Sequence, residues 1–199
     1  MGNDGLLAPG DIQWMTAGRG IIHSEMPEMI SGKLKGFQLW VNLPAALKMI
    51  APTYQDIPSA EIPIKETGGA SVRVLSGDYD GATGPARAQT SIRVLDARLE
   101  ASAGWAITPE AGHNVFCCVY EGAITAHDDQ GAERSVTAPA VFSGDGPIEI
   151  TAGVDGAEIL YCEGQPINEP VARYGPFVMN SRKEIEQAVR DYNDGTLAT

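Results

Sequence analysis

Apolar and polar residues alternate with a period of two along much of this chain. Phe37, Leu39, Val41 and Leu43 alternate with Gln38, Trp40 and Asn42, the spacing of a half-buried strand. Further strands are predicted at Ser71–Leu75, Ser91–Leu99, Asn114–Tyr120, Ala123–His127, Glu133–Thr137, Ala140–Ser143, Ile148–Thr151 and Glu158–Cys162. Turn formers separate them at Ser76-Gly77-Asp78, Glu121-Gly122, Asp128-Asp129-Gln130-Gly131 and Gly144-Asp145-Gly146-Pro147. Many short strands without helices between them predict a sandwich or a barrel. From Pro44 to Pro63, four prolines (Pro44, Pro52, Pro58, Pro63) break any long element, so this stretch reads as a surface linker. Ala45–Met49 can form one helical turn after Pro44. One full helix is predicted, at Arg182–Asn193. Ser181 and Glu184 form a capping box, while Ile185, Ala188, Val189 and Tyr192 share one face and Gly195 follows the end. Its expected role is structural, as a clasp on a barrel.

Composition narrows the class. The chain has 23 glycines and 13 prolines in 199 residues, which favours short strands and turns over a helical bundle. Its 14 basic and 26 acidic side chains give a net charge of −12, which repels a phosphate backbone and argues against direct nucleic-acid binding. The longest wholly apolar run, Val115 to Tyr120, is far too short for a membrane-spanning helix. Residues Met1 to Leu6 have neither the basic region nor the apolar core of a signal peptide. Three cysteines, two of them adjacent, do not form a disulfide framework. A reducing compartment, the cytoplasm, is the expectation.

Candidate chemistry is sparse. The three histidines are His23, His113 and His127. In Gly18-Arg19-Gly20-Ile21-Ile22-His23-Ser24-Glu25, an extended backbone puts His23 and Glu25 on the same side. An imidazole nitrogen with a carboxylate oxygen suits a first-row metal such as Fe(II). The same two residues also suit a plain hydrogen-bonded surface pair. His113 has no second histidine two residues on, where Val115 stands, and His127 precedes an acidic turn. Cys117 and Cys118 face opposite sides of a strand, and with Cys162 they read as small buried apolar residues. Gly18-Arg19-Gly20 lacks the third glycine of a dinucleotide loop, and Asp78-Tyr79-Asp80-Gly81 lacks the distal Glu of a calcium loop, so the latter is a turn.

The segment from Pro9-Gly10-Asp11 through Trp14-Met15-Thr16-Ala17-Gly18-Arg19-Gly20 to His23-Ser24-Glu25 resembles the second conserved motif of cupins, and more closely the signature of the pirins. The resemblance continues at Leu39-Trp40-Val41-Asn42-Leu43-Pro44, Tyr54-Gln55, Asn168-Glu169-Pro170-Val171 and Gly175-Pro176-Phe177-Val178-Met179-Asn180, and through the last helix. It implies an all-β protein of two tandem cupin barrels (double-stranded β-helices). Residues 1–66 would be a partial N-terminal barrel plus linker, and 67–199 a C-terminal barrel with a closing helix.

The resemblance further implies an iron or other divalent transition-metal site in the first barrel, built from three His and one Glu. Two of those ligands match His23 and Glu25. The other two lie on an earlier His-x-His motif, which this sequence lacks. The chain is therefore expected to start inside the first barrel, to hold its metal weakly and to expose a sheet edge that favours self-association. The implied activity is of the quercetin 2,3-dioxygenase type, on a flavonol-like small molecule, with Glu25 as base. An alternative implied by the family is a non-catalytic regulator that binds a protein partner, or an inactive relic.

Overall fold

The computed structural model describes residues 5–28, 31–127, 133–143 and 146–198. The turns expected at Asp128–Gly131 and Gly144-Asp145 lie outside the described residues. The strands are β1 (Ile12–Thr16), β2 (Thr53–Ile57), β3 (Ile64–Thr67), β4 (Ala70–Ser76), β5 (Asp78–Tyr79), β6 (Ala82–Thr83) and β7 (Ile92–Leu99). They continue with β8 (Gly104–Ile107), β9 (Asn114–His127), β10 (Glu133–Val136), β11 (Ala140–Phe142), β12 (Ile148–Gly164), β13 (Ala172–Tyr174) and β14 (Phe177–Met179), followed by helix α1 (Arg182–Asn193). Two compact units form, one from residues 1–14 with 55–166 and the other from 15–54 with 167–199. β1 and β2 pair as a two-stranded sheet, and the chain passes between units within each of these strands.

The first unit is built on an eight-stranded antiparallel sheet in the order β10-β9-β12-β7-β4-β3, with β11 also on β9 and β8 also on β12. Its inner face is assembled in cross-strand rows. Val74, Leu95, Tyr161 and Cys117 occupy one row, and Val72, Ala97, Ile159 and Val119 the next. All eight are buried within one apolar cluster that also takes in Trp105, Ile107, Ile124 and Ile150. Odd-numbered positions of β7, of the first half of β9 and of the second half of β12 face inward, as the period of two requires, and beyond Gly122 the inward positions of β9 become even-numbered, at Ile124 and Ala126. Tyr79, Trp105 and Tyr161 stack edge-to-face inside it, with ring centroids 6.4 and 5.8 Å apart, and the Trp105 indole N–H donates to the Tyr79 hydroxyl at 2.9 Å.

The longest strands correct the sequence reading. Asn114–Tyr120 and Ala123–His127 are one continuous strand, as are Ile148–Thr151 and Glu158–Cys162. Gly122 sits at φ +72° and Gly156 at φ +82°, and the β9–β12 register shifts between Ala152 and Ala157. Glycines here make a bulge that bends two paired strands, where the sequence suggested a chain reversal. The expected turn at Asp78–Gly81 is present. Asp80 and Gly81, both at positive φ, link β5 to β6 as a two-residue hairpin.

Two further expectations change. Phe37–Leu43 is in no strand, and Phe37, Trp40 and Val41 are exposed; at its end the Leu43 N–H bonds locally to the Asn42 side chain at 3.0 Å, an alternative to a strand ladder. The stretch Pro44–Pro63 is more than a linker, since it contains β2 and buries Ile57 and Ile62. The prolines flank its short elements and leave the interiors free: Pro44 and Pro58 precede 3-10 turns at Ala45–Leu47 and Ser59–Glu61.

In the second unit, side chains far apart in sequence tie residues 42–48 to residues 169–180. The buried Lys48 ammonium donates to Asn42 Oδ1 at 2.7 Å and to the Val178 carbonyl at 3.2 Å. Burial pulls its pKa below the usual lysine value, partly offset by Glu169 and Glu184. Glu169 accepts from the Ala45 N–H at 2.7 Å and the Asn180 amide at 2.8 Å. Phe177 meets Tyr192 of α1 edge-on at 6.3 Å, and the Arg173 guanidinium lies 5.4 Å from the Trp40 ring.

The capping box of α1 forms as the sequence predicts. Ser181 Oγ accepts from the Glu184 N–H at 3.3 Å, and the Glu184 carboxylate accepts from the Ser181 hydroxyl and the Asn180 N–H. The Ser181 hydroxyl bond is the main reason that the Glu184 carboxyl is held below the usual carboxylate range. Ser181→Ala is expected to lower local helix stability by about 1 kcal/mol. Faster amide exchange over Ile185–Val189, with the β-sheet of the first unit unchanged, is the measurable result.

Candidate functional site

The approach to the candidate site is fixed by backbone packing. After β1, Arg19 N–H donates to the Ile50 carbonyl at 2.9 Å and Gly20 N–H to the Ala17 carbonyl at 3.0 Å. Gly18, at φ +53°, lies so close that a Cβ there would sit 2.2 Å from the Ile50 oxygen. Gly20, at φ +148°, leaves only 2.6 Å for a Cβ against the Leu197 side chain. Gly18-Arg19-Gly20 is thus a tightly seated corner that only glycines at both ends allow, and it sets the course of Ile21-Ile22-His23.

Beyond that corner His23 and Glu25 come together as the two-residue spacing predicts. His23 Nε2 stands 3.7 Å from Glu25 Oε1, with the side chains 42% and 59% exposed. The same carboxylate oxygen accepts from the Gln38 amide Nε2–H at 3.4 Å. Gln38 escaped the sequence reading, which took it only as a polar position in an alternating run. Two metal–ligand bonds of about 2.1 Å span at most about 4.2 Å. One ion can therefore bridge His23 and Glu25, and the donor types suit a first-row transition metal. Among the described residues, no group of three or more His, Cys, Asp and Glu side chains converges as a metal site.

The other titratable candidates lie elsewhere. His127 closes β9. His113 is in the first unit, its side chain 6% exposed, with Nε2 3.4 Å from Glu110 Oε2 and Nδ1 3.5 Å from Glu163 Oε1. Glu163 is fully buried and carries the densest polar network in the sheet interior. It accepts from Arg93 Nη2 at 2.8 Å, from the Glu110 N–H at 3.2 Å and from the Tyr161 hydroxyl. Arg93 Nη2 also donates to the Thr108 carbonyl at 2.9 Å. Arg93 and Glu163 face each other in register across β7 and β12, which closes the charge pair inside the sheet. The expected strand Glu158–Cys162 stopped one residue short of this carboxylate.

Cys117, Cys118 and Cys162 are free thiols. Burial pushes Cys117 and Cys162 each up to about 12, so both stay protonated and unreactive at neutral pH, as small apolar residues would be. Among the described residues, no helix is long and apolar enough to cross a membrane.

Residues 94–198 match the family described as the Pirin C-terminal cupin domain, and residues 1–41 match that described as Pirin. A Pseudomonas aeruginosa protein named "Putative quercetin 2,3-dioxygenase PA3240" is 45% identical over 206 residues, covering all of this chain and 71% of that protein. A pirin-like protein of Caulobacter vibrioides is 41% identical, over 98% of this chain and 70% of its own length. The crystal structure of a quercetin 2,3-dioxygenase from Acinetobacter baumannii superposes with a TM-score of 0.77 at 30% identity, covering 96% of this chain and 67% of that one.

Proposed function

This chain belongs to the pirin family of cupins, and from that premise we propose that it is a metal-dependent oxygenase of the quercetin 2,3-dioxygenase type, with His23 and Glu25 as its metal ligands. The observation that carries this reading is the convergence of His23 Nε2 and Glu25 Oε1 at a separation one ion can bridge. Relatives bearing the quercetin 2,3-dioxygenase name support the substrate class, a flavonol-like phenol. Iron is the metal we favour.

When bound, such a metal supplies a Lewis acid that draws electron density from the phenol oxygens. The chain's own groups do the rest. His23 offers an imidazole nitrogen as a ligand. Glu25 has a second carboxylate oxygen that can accept the proton of the flavonol hydroxyl, a general-base role. Ile22 and Phe37, both exposed, adjoin His23 and Gln38 in sequence and offer apolar surface to an aromatic ligand.

Two protein donors hold a metal less firmly than three or four. The remaining positions fall to water, to the substrate or to a neighbouring chain. Turnover by this chain alone is therefore expected to be low.

The deciding experiment is metal content by elemental analysis after Fe(II) loading, on the wild-type chain beside His23→Ala. Near-stoichiometric iron in the first and at least a tenfold loss in the second is the expected result. Equal iron in both, or background iron in both, overturns the assignment and leaves protein binding, the family's other implied role, as the better account.

A further inference from the structure

We propose that Gln38 is a positioning residue of this centre, holding the Glu25 carboxylate in its metal-facing orientation. This rests on the reading of His23 and Glu25 as ligands. The two contacts meet on one atom: Glu25 Oε1 lies 3.7 Å from His23 Nε2 and accepts from Gln38 Nε2–H at 3.4 Å. Glu25 is an exposed side chain with freely turning torsions. A bond from a donor 13 residues away in sequence restricts that rotation and keeps the oxygen beside the imidazole.

The type of donor matters as much as its place. A lysine or arginine here would neutralise the carboxylate and compete with the metal for it. A neutral amide N–H leaves the full negative charge available, and each carboxylate oxygen has a second lone pair for the ion. Hydrogen bonding of a ligating carboxylate by an outer residue typically changes metal affinity 10–100-fold. With two protein ligands among the described residues, the orientation of each contributes more than in a site of four.

Gln38 is itself exposed, so its exchange for leucine leaves the buried framework untouched. Titration of the chain with Co(II), followed by its visible absorption bands, reads affinity and ligand geometry together without turnover. Gln38→Leu is expected to weaken Co(II) binding about 10–100-fold and shift the bands, with the urea unfolding midpoint unchanged. Gln38→Asn, which keeps the amide on a shorter stem, is expected to fall between the two. Unaltered affinity and bands in Gln38→Leu, with binding lost in His23→Ala, overturn the positioning role and leave the ligand assignment standing. No Co(II) binding by the wild type, or binding that survives His23→Ala, removes the ligand assignment and this role with it.

Discussion

Glu163→Ala is expected to destabilise the first unit by about 3–5 kcal/mol, the cost of stranding one member of a buried ion pair. The carboxylate is fully buried and accepts from three groups on three parts of the chain: Arg93 of β7, Tyr161 of its own strand and the N–H of Glu110 in the loop before β9. Removing it leaves Arg93, itself 13% exposed at the side chain, with a charge that the Thr108 and Asp78 carbonyls only partly satisfy. The Tyr161 hydroxyl and the Glu110 N–H lose their acceptor at the same time. Glu163→Gln keeps one carbonyl oxygen of similar shape and is expected to lose less, since that oxygen can still accept on one side of the network, from Arg93 and Tyr161 or from the Glu110 N–H. Urea unfolding of both variants beside wild type checks this. A loss below about 1 kcal/mol for Glu163→Ala would mean that Arg93 escapes to water and that the pair contributes little net stability.

The second large effect is expected at the bend of the long strands. Gly122 is at φ +72°, and a Cβ there would lie 2.2 Å from the Gly156 carbonyl oxygen, a backbone atom that cannot swing aside. The left-handed conformation costs an alanine about 1–2 kcal/mol, and the clash adds about 1–3 kcal/mol of overpacking. Gly122→Ala is therefore expected to lose about 2–5 kcal/mol. Gly112→Ala is the control, because Gly112 also has positive φ, +77°, but open space where its Cβ would be. The difference between the two unfolding free energies isolates the clash. Equal losses would show that the paired strands slide apart at little cost.

The two variants probe the same feature of the first unit, a sheet interior closed by its longest strands. β12 pairs with β7, β8 and β9, so a change in its register or its buried end is felt in every one of them. The candidate metal centre is built on different terms. Its side chains are exposed, His23 and Glu25 are two residues apart, and Gln38 comes from a segment outside any strand. Changes there are expected to alter binding while leaving stability alone.

Much of the fold was legible because strand periodicity and helix caps are local signals. The strand at Ser91–Leu99, the helix with its Ser181–Glu184 box and the turn at Asp78–Gly81 each depend on residues within one short window. The convergence of His23 and Glu25 was legible for the same reason, since it rests on a spacing of two. Gln38 was hidden because its contact spans 13 residues and no local pattern marks it as a partner of Glu25.

What the sequence alone determined was composition, charge, the all-β class, the helix and the approach of His23 to Glu25, because each follows from neighbours along the chain. Only the tertiary structure decided whether a glycine reverses the chain or bends it: Gly122 needs Gly156 opposite to become a bulge. It also decided that the alternating run Phe37–Leu43 forms no strand, that a carboxylate at position 163 is buried against Arg93, and that the Glu25 oxygen accepts from the Gln38 amide. Those outcomes depend on which segments meet across the fold, and pairing between distant segments leaves no period in the sequence of either one.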